Sequence, residues 1–509
     1  MAWLRCLGYA AGALIGWLIR SLGLSLTGTR RRIAWQSLGV LALVGTGIML
    51  VLHLRWQRRL REALEMDQVT FGYISAVAVV TVIIFMLVLV ISRLLRAAGR
   101  STGRQVARVL PAKVAVVTGV LIVAVATYGV ADSLLFGRMV GRLDATFMAI
   151  NDEFTTDVPA PTSPYLSAGP ESQVKWADLG RQGRVFIANA PTAEAISAFT
   201  GAEAKQPVRA YVGVGTDREI DLREEAALAA EELERTGGFE RAVINVATGT
   251  GRGWVNENQA RALEYMWAGD TATVSMQYSY LPSWMSFLVD GQRAQDAGRL
   301  LFEAVYDRWS QIPEEDRPLL VVSGESLGSF GGEGAFSGAQ DLAERTDGAL
   351  FVGPTANNRL WGQFTRERDA GTPEVDPIYR DGAVVRFSED GRTWPGASVW
   401  DGTRVGYLQH ANDPVTWWSA ELAFHRPDWL VEKRGRDVLP QTRWIPIVTM
   451  LQVAADQMVA NDVPDGQGHQ FGQAPVYAWA HILPPPGWSD ADSDRLAEEI
   501  KDQQVQEIG

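Results

Sequence analysis

Leu319-Leu320-Val321-Val322-Ser323-Gly324-Glu325-Ser326-Leu327-Gly328 is the stretch that decides the fold. An apolar, partly β-branched run leads directly into Gly-x-Ser-x-Gly. That is the pattern of a nucleophile elbow, in which a strand turns sharply into a helix and leaves a serine hydroxyl above the sheet edge. A Cβ at either glycine is expected to collide with neighbouring strands. In a chain of 509 residues with 50 glycines the five letters carry little alone; the strand in front of them carries the reading.

Outward from the elbow, short apolar runs recur at 184–188, 208–214, 242–247, 271–278, 318–323, 349–352 and 405–409. Helical patterns at 222–235, 257–267, 292–310 and 337–345 separate several of them. This alternation predicts a mostly parallel sheet with helices on both faces. No period of 20 to 50 residues repeats, which argues against a solenoid or propeller.

After an elbow serine, the acid and then the histidine follow in chain order. Of five histidines, His410, His425, His469 and His481 come after Ser326. His469 sits in the glycine-rich Gly466-Gln467-Gly468-His469 loop and is expected to be the general base; otherwise it is a solvent-exposed loop residue. His481, in an apolar stretch, reads as a packed side chain. Asp413 is the expected acid: Pro414 pins the backbone just past a strand, so the carboxylate can be held toward an imidazole. The plain alternative is an Asp-Pro turn. Glu325 and His410 are expected to support these groups from behind. Oxyanion donors are expected from the Leu327 N–H and from Thr250 or Gly251. The Gly249-Thr250-Gly251-Arg252-Gly253 loop lacks the glycine spacing of a dinucleotide turn, and no Gly-Lys-Ser/Thr follows Gly331, Gly332 and Gly334. No cofactor is expected, and no metal-ligand spacing is present. The 18 tryptophans include Trp417-Trp418, which suit an acyl pocket or a membrane interface, although core packing is the commoner role.

The first 150 residues differ in character. They hold 17 Lys and Arg against five Asp and Glu, leaving 30 against 54 for the remainder. The acidic remainder argues against nucleic acid, while the basic residues fall between apolar runs, where anionic lipid headgroups lie. Runs at 33–54, 71–91 and 114–136 are long enough to cross a bilayer. A fourth begins at Cys6 and crosses only if Arg20 snorkels. The connections at Arg20 to Arg32 and Arg93 to Lys113 carry ten cations against seven on the other side, which favours a C-terminal region outside the cytoplasm. That puts Met1 outside as well, so a further helix is expected upstream. Gly8, Gly12 and Gly16 at helical spacing suit close helix packing, within or between chains. Cys6, the single cysteine, leaves the rest of the chain without a disulfide or thiol nucleophile. The expected organisation is a transmembrane region over 1–150, a Pro/Ser/Thr-rich linker over 151–175 and a catalytic domain over 176–509.

A multi-span N-terminal region joined to Gly324-Glu325-Ser326-Leu327-Gly328-Ser329, to the run from His410 through Asp413-Pro414 to Trp418, and to Gly468-His469-Gln470-Phe471 resembles the bacterial membrane-anchored α/β-hydrolase family. The resemblance covers nearly the whole chain and implies an α/β-hydrolase domain with Ser326, Asp413 and His469 in the triad positions. The expected activity is a serine esterase or lipase-like hydrolase acting on a lipid or cell-envelope acyl ester. An acyltransferase using the same triad, and a non-catalytic binding or assembly module, are the alternatives. Expected partners are membrane lipids, an acyl-ester substrate and other copies of the chain through its helices, with no nucleic acid.

Overall fold

The computed structural model describes residues 28–108, 158–215, 221–281 and 283–503, with scattered positions between 111 and 153. It divides into two units, 1–143 and 144–509. In the first, α1 (Gly28–Ala63) and α2 (Phe71–Val106) are 36 residues each. At 1.5 Å per residue that is about 54 Å, more than the roughly 30 Å of a bilayer's hydrocarbon core. Both helices are long and apolar enough to cross a membrane. The Thr70 hydroxyl caps α2 by accepting the Tyr73 N–H (3.2 Å). None of the side chains of α1 is buried, and Leu41 and Leu43 are exposed. The expected spans 33–54 and 71–91 fall on these helices. The run from Cys6 and most of 114–136 lie outside the described residues.

The second unit opens with α3 (Gly180–Ala188) and α4 (Ala193–Thr200), then alternates. In chain order come β1 (Val208–Val212), α5 (Leu222–Arg235), β2 (Val243–Thr248), α6 (Glu257–Met266), β3 (Thr271–Met276) and α7 (Ser283–Trp309). The elbow strand β4 (Leu319–Glu325) leads into α8 (Leu327–Gly332), followed by α9 (Ala339–Arg345), β5 (Gly348–Val352), α10 (Arg359–Arg366), β6 (Val385–Ser388) and β7 (Arg404–Leu408). The chain closes with α11 (Pro414–Trp417), α12 (Val448–Asp456), α13 (Ala474–Ile482) and α14 (Asp490–Asp502).

All pairings in the seven-stranded sheet are parallel, in the order β1-β3-β2-β4-β5-β7-β6. Period-2 alternation divides the core into two layers. Leu320, Val322, Ala349 and Phe351 pack with Ala229 of α5 and Leu301 and Val305 of α7. Val321, Leu350 and Val352 face the other way, onto Leu263 of α6, Trp479 of α13 and Leu496 of α14. The fully buried Arg209 of β1 joins strand to helix through a two-pronged bond to Glu264 of α6 (2.7 and 2.9 Å) and a bond to Glu257 (3.2 Å).

Three features depart from expectation. The apolar run 184–188 lies in a helix, not a strand. Gly183 lets α3 lie flush on the sheet, since a Cβ there would sit 2.4 Å from the Tyr211 ring, and a run this short has no decisive period. Edge strand β6 was not anticipated, nor were α13 and α14. Of the stretch read as a linker over 151–175, residues 158–175 are fastened to the domain: Leu166 pairs with Arg209, and the hydroxyls of Ser167 and Ser172 donate to Glu232 on α5 (3.1 and 2.8 Å). The serines that suggested a loose tether are the groups that attach it.

Candidate active site

β4 runs through the middle of the sheet, between β2 and β5. At its end Ser326 adopts φ 55°, ψ −120°, a backbone conformation that costs a non-glycine residue about 1–3 kcal/mol. The surroundings hold it there. The Ser326 N–H donates to the Val352 carbonyl of β5 (2.8 Å), and its own carbonyl accepts the Ser329 and Phe330 amides (3.0 and 3.2 Å) that begin α8. A Cβ on Gly324 would lie 2.4 Å from the Gly328 carbonyl oxygen, and one on Gly328 would lie 2.2 Å from that of Thr248. The first glycine is therefore required by the helix that follows it rather than by a neighbouring strand, and the second by the end of β2.

Asp413 and His469, 56 residues apart in sequence, meet at 2.6 Å through Oδ2 and Nδ1. Asp413 performs both tasks that the sequence presented as alternatives. Its Oδ1 accepts the Val415 N–H (2.8 Å), capping the turn that Pro414 begins, while Oδ2 takes the imidazole and the Thr416 hydroxyl (3.2 Å). The His469 loop is clamped to the end of β7 at two further points. His410 Nδ1 meets the Gly468 carbonyl (2.8 Å). Asn412 accepts the Gly468 N–H (2.9 Å) and donates to Gln467 (2.7 Å). Asn412 and Thr416 were not singled out in the sequence; their position around the acid was the available signal.

Register carries the imidazole toward the elbow. Glu325 pairs with Val352 and Val352 with Leu408, so Gly353 lies beside Ser326 at the sheet edge. A Cβ on Gly353 would lie 2.5 Å from His469 Cε1, so the ring rests on this glycine. His469 Nε2 is buried and has no hydrogen-bond partner among the described residues. Burial opposes protonation of His469, but the Asp413 carboxylate, its hydrogen bond and the Glu325 carboxylate outweigh it and hold the imidazole above its ordinary pKa. Burial pushes the Glu325 carboxyl up against the opposing pull of His469. Asn256, the N-cap of α6, donates a short hydrogen bond to Glu325. His410 is held below its ordinary pKa by burial and stacks on Phe471 at 4.2 Å.

Leu327 is the first residue of α8, where helix amides have no partner within the helix. The loop after β2 lies next to it, because Thr248 pairs with Gly324. The Thr250 N–H is engaged with the Trp254 carbonyl (2.9 Å), which removes the Thr250 amide from the expected oxyanion donors and leaves Gly251. A model of the alpha/beta-hydrolase family matches residues 208–496, and a model of that family's N-terminus matches residues 1–191. The chain belongs to the alpha/beta-hydrolase family. No curated protein and no solved structure matches it.

Within this alpha/beta-hydrolase domain, the remaining sequence candidates lie in supporting positions. Trp417 is buried against Trp361 and Trp429 (5.7 and 6.2 Å between ring centroids) and donates to the His410 carbonyl (2.9 Å). His481 is in α13, where its carbonyl accepts from Arg404 (2.5 Å). Among the described residues, no three His, Cys, Asp or Glu side chains are grouped to hold a metal ion.

Proposed function

We propose that this protein is a membrane-anchored serine hydrolase acting on the acyl ester of a lipid or cell-envelope molecule. The observation that carries the reading is the 2.6 Å Asp413–His469 contact, made by an imidazole whose outer nitrogen Nε2 is open and whose ring rests on Gly353, the sheet neighbour of the strained elbow serine. In the proposed mechanism the Ser326 Oγ attacks the ester carbonyl carbon while His469 Nε2 takes its proton. Asp413 holds the Nδ1–H tautomer and stabilises the imidazolium. The N–H groups of Leu327 and Gly251 receive the oxyanion. Return of the proton to the departing alkoxide leaves an acyl-serine. Water, deprotonated by His469, then releases the acid and restores Ser326. An alcohol in place of that water makes the same site a transferase.

The two apolar helices support anchoring, and the distribution of cations supports a multi-pass arrangement with the hydrolase domain outside the cytoplasm. Contacts between copies through glycine-bearing helix faces belong to the same proposal. The test is acid release from a chain-length series of p-nitrophenyl esters by detergent-solubilised protein, with and without glycerol as acceptor. Turnover that is lost in Ser326→Ala supports the reading. Turnover retained in that variant, or absent from folded wild type, overturns it and favours a binding module.

A further inference from the structure

Large exposed apolar side chains are not spread evenly over the second unit. Eight are described, and six of them, Phe424, Val431, Ile445, Ile447, Met458 and Val459, fall within the 36 residues from 424 to 459; Tyr165 and Val399 lie elsewhere. Phe424 is 74 % exposed and Met458 86 %. An apolar concentration of this kind marks a surface that meets something other than water. The backbone gathers its parts, since the Ile447 N–H donates to the carbonyl of Ala423, next to Phe424 (3.1 Å). α12 follows Ile447 directly and buries only Thr449.

This segment bridges the two groups assigned as acid and base. It leaves α11, whose N-cap is Asp413, and Trp418 Nε1 donates to the Met450 carbonyl of α12 (3.1 Å). At its far end the Ala460 carbonyl accepts the His469 N–H (3.0 Å). The apolar surface is thus attached by one hydrogen bond to the histidine loop.

Charge indicates what covers it. Although the chain beyond residue 150 holds 30 cations against 54 carboxylates, residues 424–459 hold five against four. Three of the four carboxylates are paired, Asp428 and Glu432 with Arg368 (2.9 and 2.7 Å) and Asp437 with Arg436 (3.0 Å), and the fourth, Asp456, ends α12. Arg426, Lys433 and Arg443 are exposed between Phe424, Val431 and Ile445. Apolar side chains interleaved with exposed cations match the boundary between acyl chains and anionic headgroups. We infer that segment 424–459 docks the domain onto an anionic bilayer surface, beside the site that takes the acyl ester. The inference rests on reading α1 and α2 as spans, which keep the domain near that surface.

The test places a bimane label on full-length Cys6→Ser protein carrying Phe424→Cys, Met458→Cys or, as a control, Val399→Cys. Each is reconstituted into vesicles containing doxyl-labelled phosphatidylcholine, with or without phosphatidylglycerol. The expected result is quenching at 424 and 458, none at 399, and weaker quenching without phosphatidylglycerol. Equal quenching in both vesicles overturns the part given to the cations. No quenching in protein that floats with the vesicles overturns the docking surface alone. Protein that fails to float overturns the spans and the docking together. A blue shift that grows with protein density and is insensitive to doxyl lipid replaces the bilayer with a second copy of the chain. None of these outcomes depends on whether Ser326 turns over an ester.

Discussion

Gly353→Ala separates the position of the imidazole from its chemistry. The new methyl would lie 2.5 Å from His469 Cε1, 3.0 Å from Nδ1 and 2.9 Å from the Phe471 ring. Carbon atoms in contact sit about 3.5–4.0 Å apart, so the imidazole must retreat by about 1 Å. Displacement of a catalytic group on that scale costs about 10²-fold in rate. The backbone adds a second effect, because φ is +53° at this position and alanine in the left-handed region costs about 1–2 kcal/mol. Gly402→Ala isolates that effect: its φ is +73°, and nothing lies within 4 Å of the added Cβ. Both variants should therefore melt a few degrees lower by differential scanning fluorimetry. Only Gly353→Ala should show the roughly hundredfold slower fluorophosphonate labelling. Equal labelling rates in the two variants would refute the placement of His469 against Gly353 as the determinant of reactivity.

Asp413→Asn leaves the shape of the turn but loses the charge that fixes the imidazole tautomer, so the proposed ester hydrolysis, measured at pH 7, should fall by about 10⁴-fold; a loss under tenfold would remove Asp413 from the proposed triad. In Glu325→Gln, one of the carboxylates holding the His469 pKa up is gone. Because the base must be neutral to act, the acidic limb of the kcat/KM profile should move to lower pH, and an unmoved or raised limb would exclude the coupling. Arg209→Met leaves Glu264 buried without its counter-ion and Glu257 with Arg261 alone. Urea unfolding should show a loss of about 3–5 kcal/mol, with a loss under 1 kcal/mol indicating that the pair is not needed.

What was legible followed from periodicity and chain order. β1, β2, β3, β4, β5 and β7 were readable because parallel strands buried on both faces are short continuous apolar runs. Asp413 and His469, which meet at 2.6 Å, could be picked out together because the order after an elbow serine is constrained. The failures have local causes. The run 184–188 has the composition of a strand but is too short to show a decisive period, and it lies in a helix with Phe186 against Tyr211. β6, four residues between glycine-bearing turns, is too short to show alternation. Thr250 was a plausible oxyanion donor until its amide met Trp254, a turn bond that composition does not reveal. Asn412, Thr416 and Asn256 act through partners far away in the chain or through a cap, and a single sequence carries no mark of such contacts.

The most direct test of the proposed triad is mass-spectrometric mapping of a fluorophosphonate adduct on the full-length protein, in wild type, Ser326→Ala and His469→Ala. The account predicts one adduct, on Ser326, absent from the first variant and formed far more slowly in the second. Labelling of intact cells by a membrane-impermeant probe would add that the domain faces outward. An unlabelled Ser326 in protein that melts cooperatively would contradict the account, because an elbow serine beside an Asp-held imidazole should react.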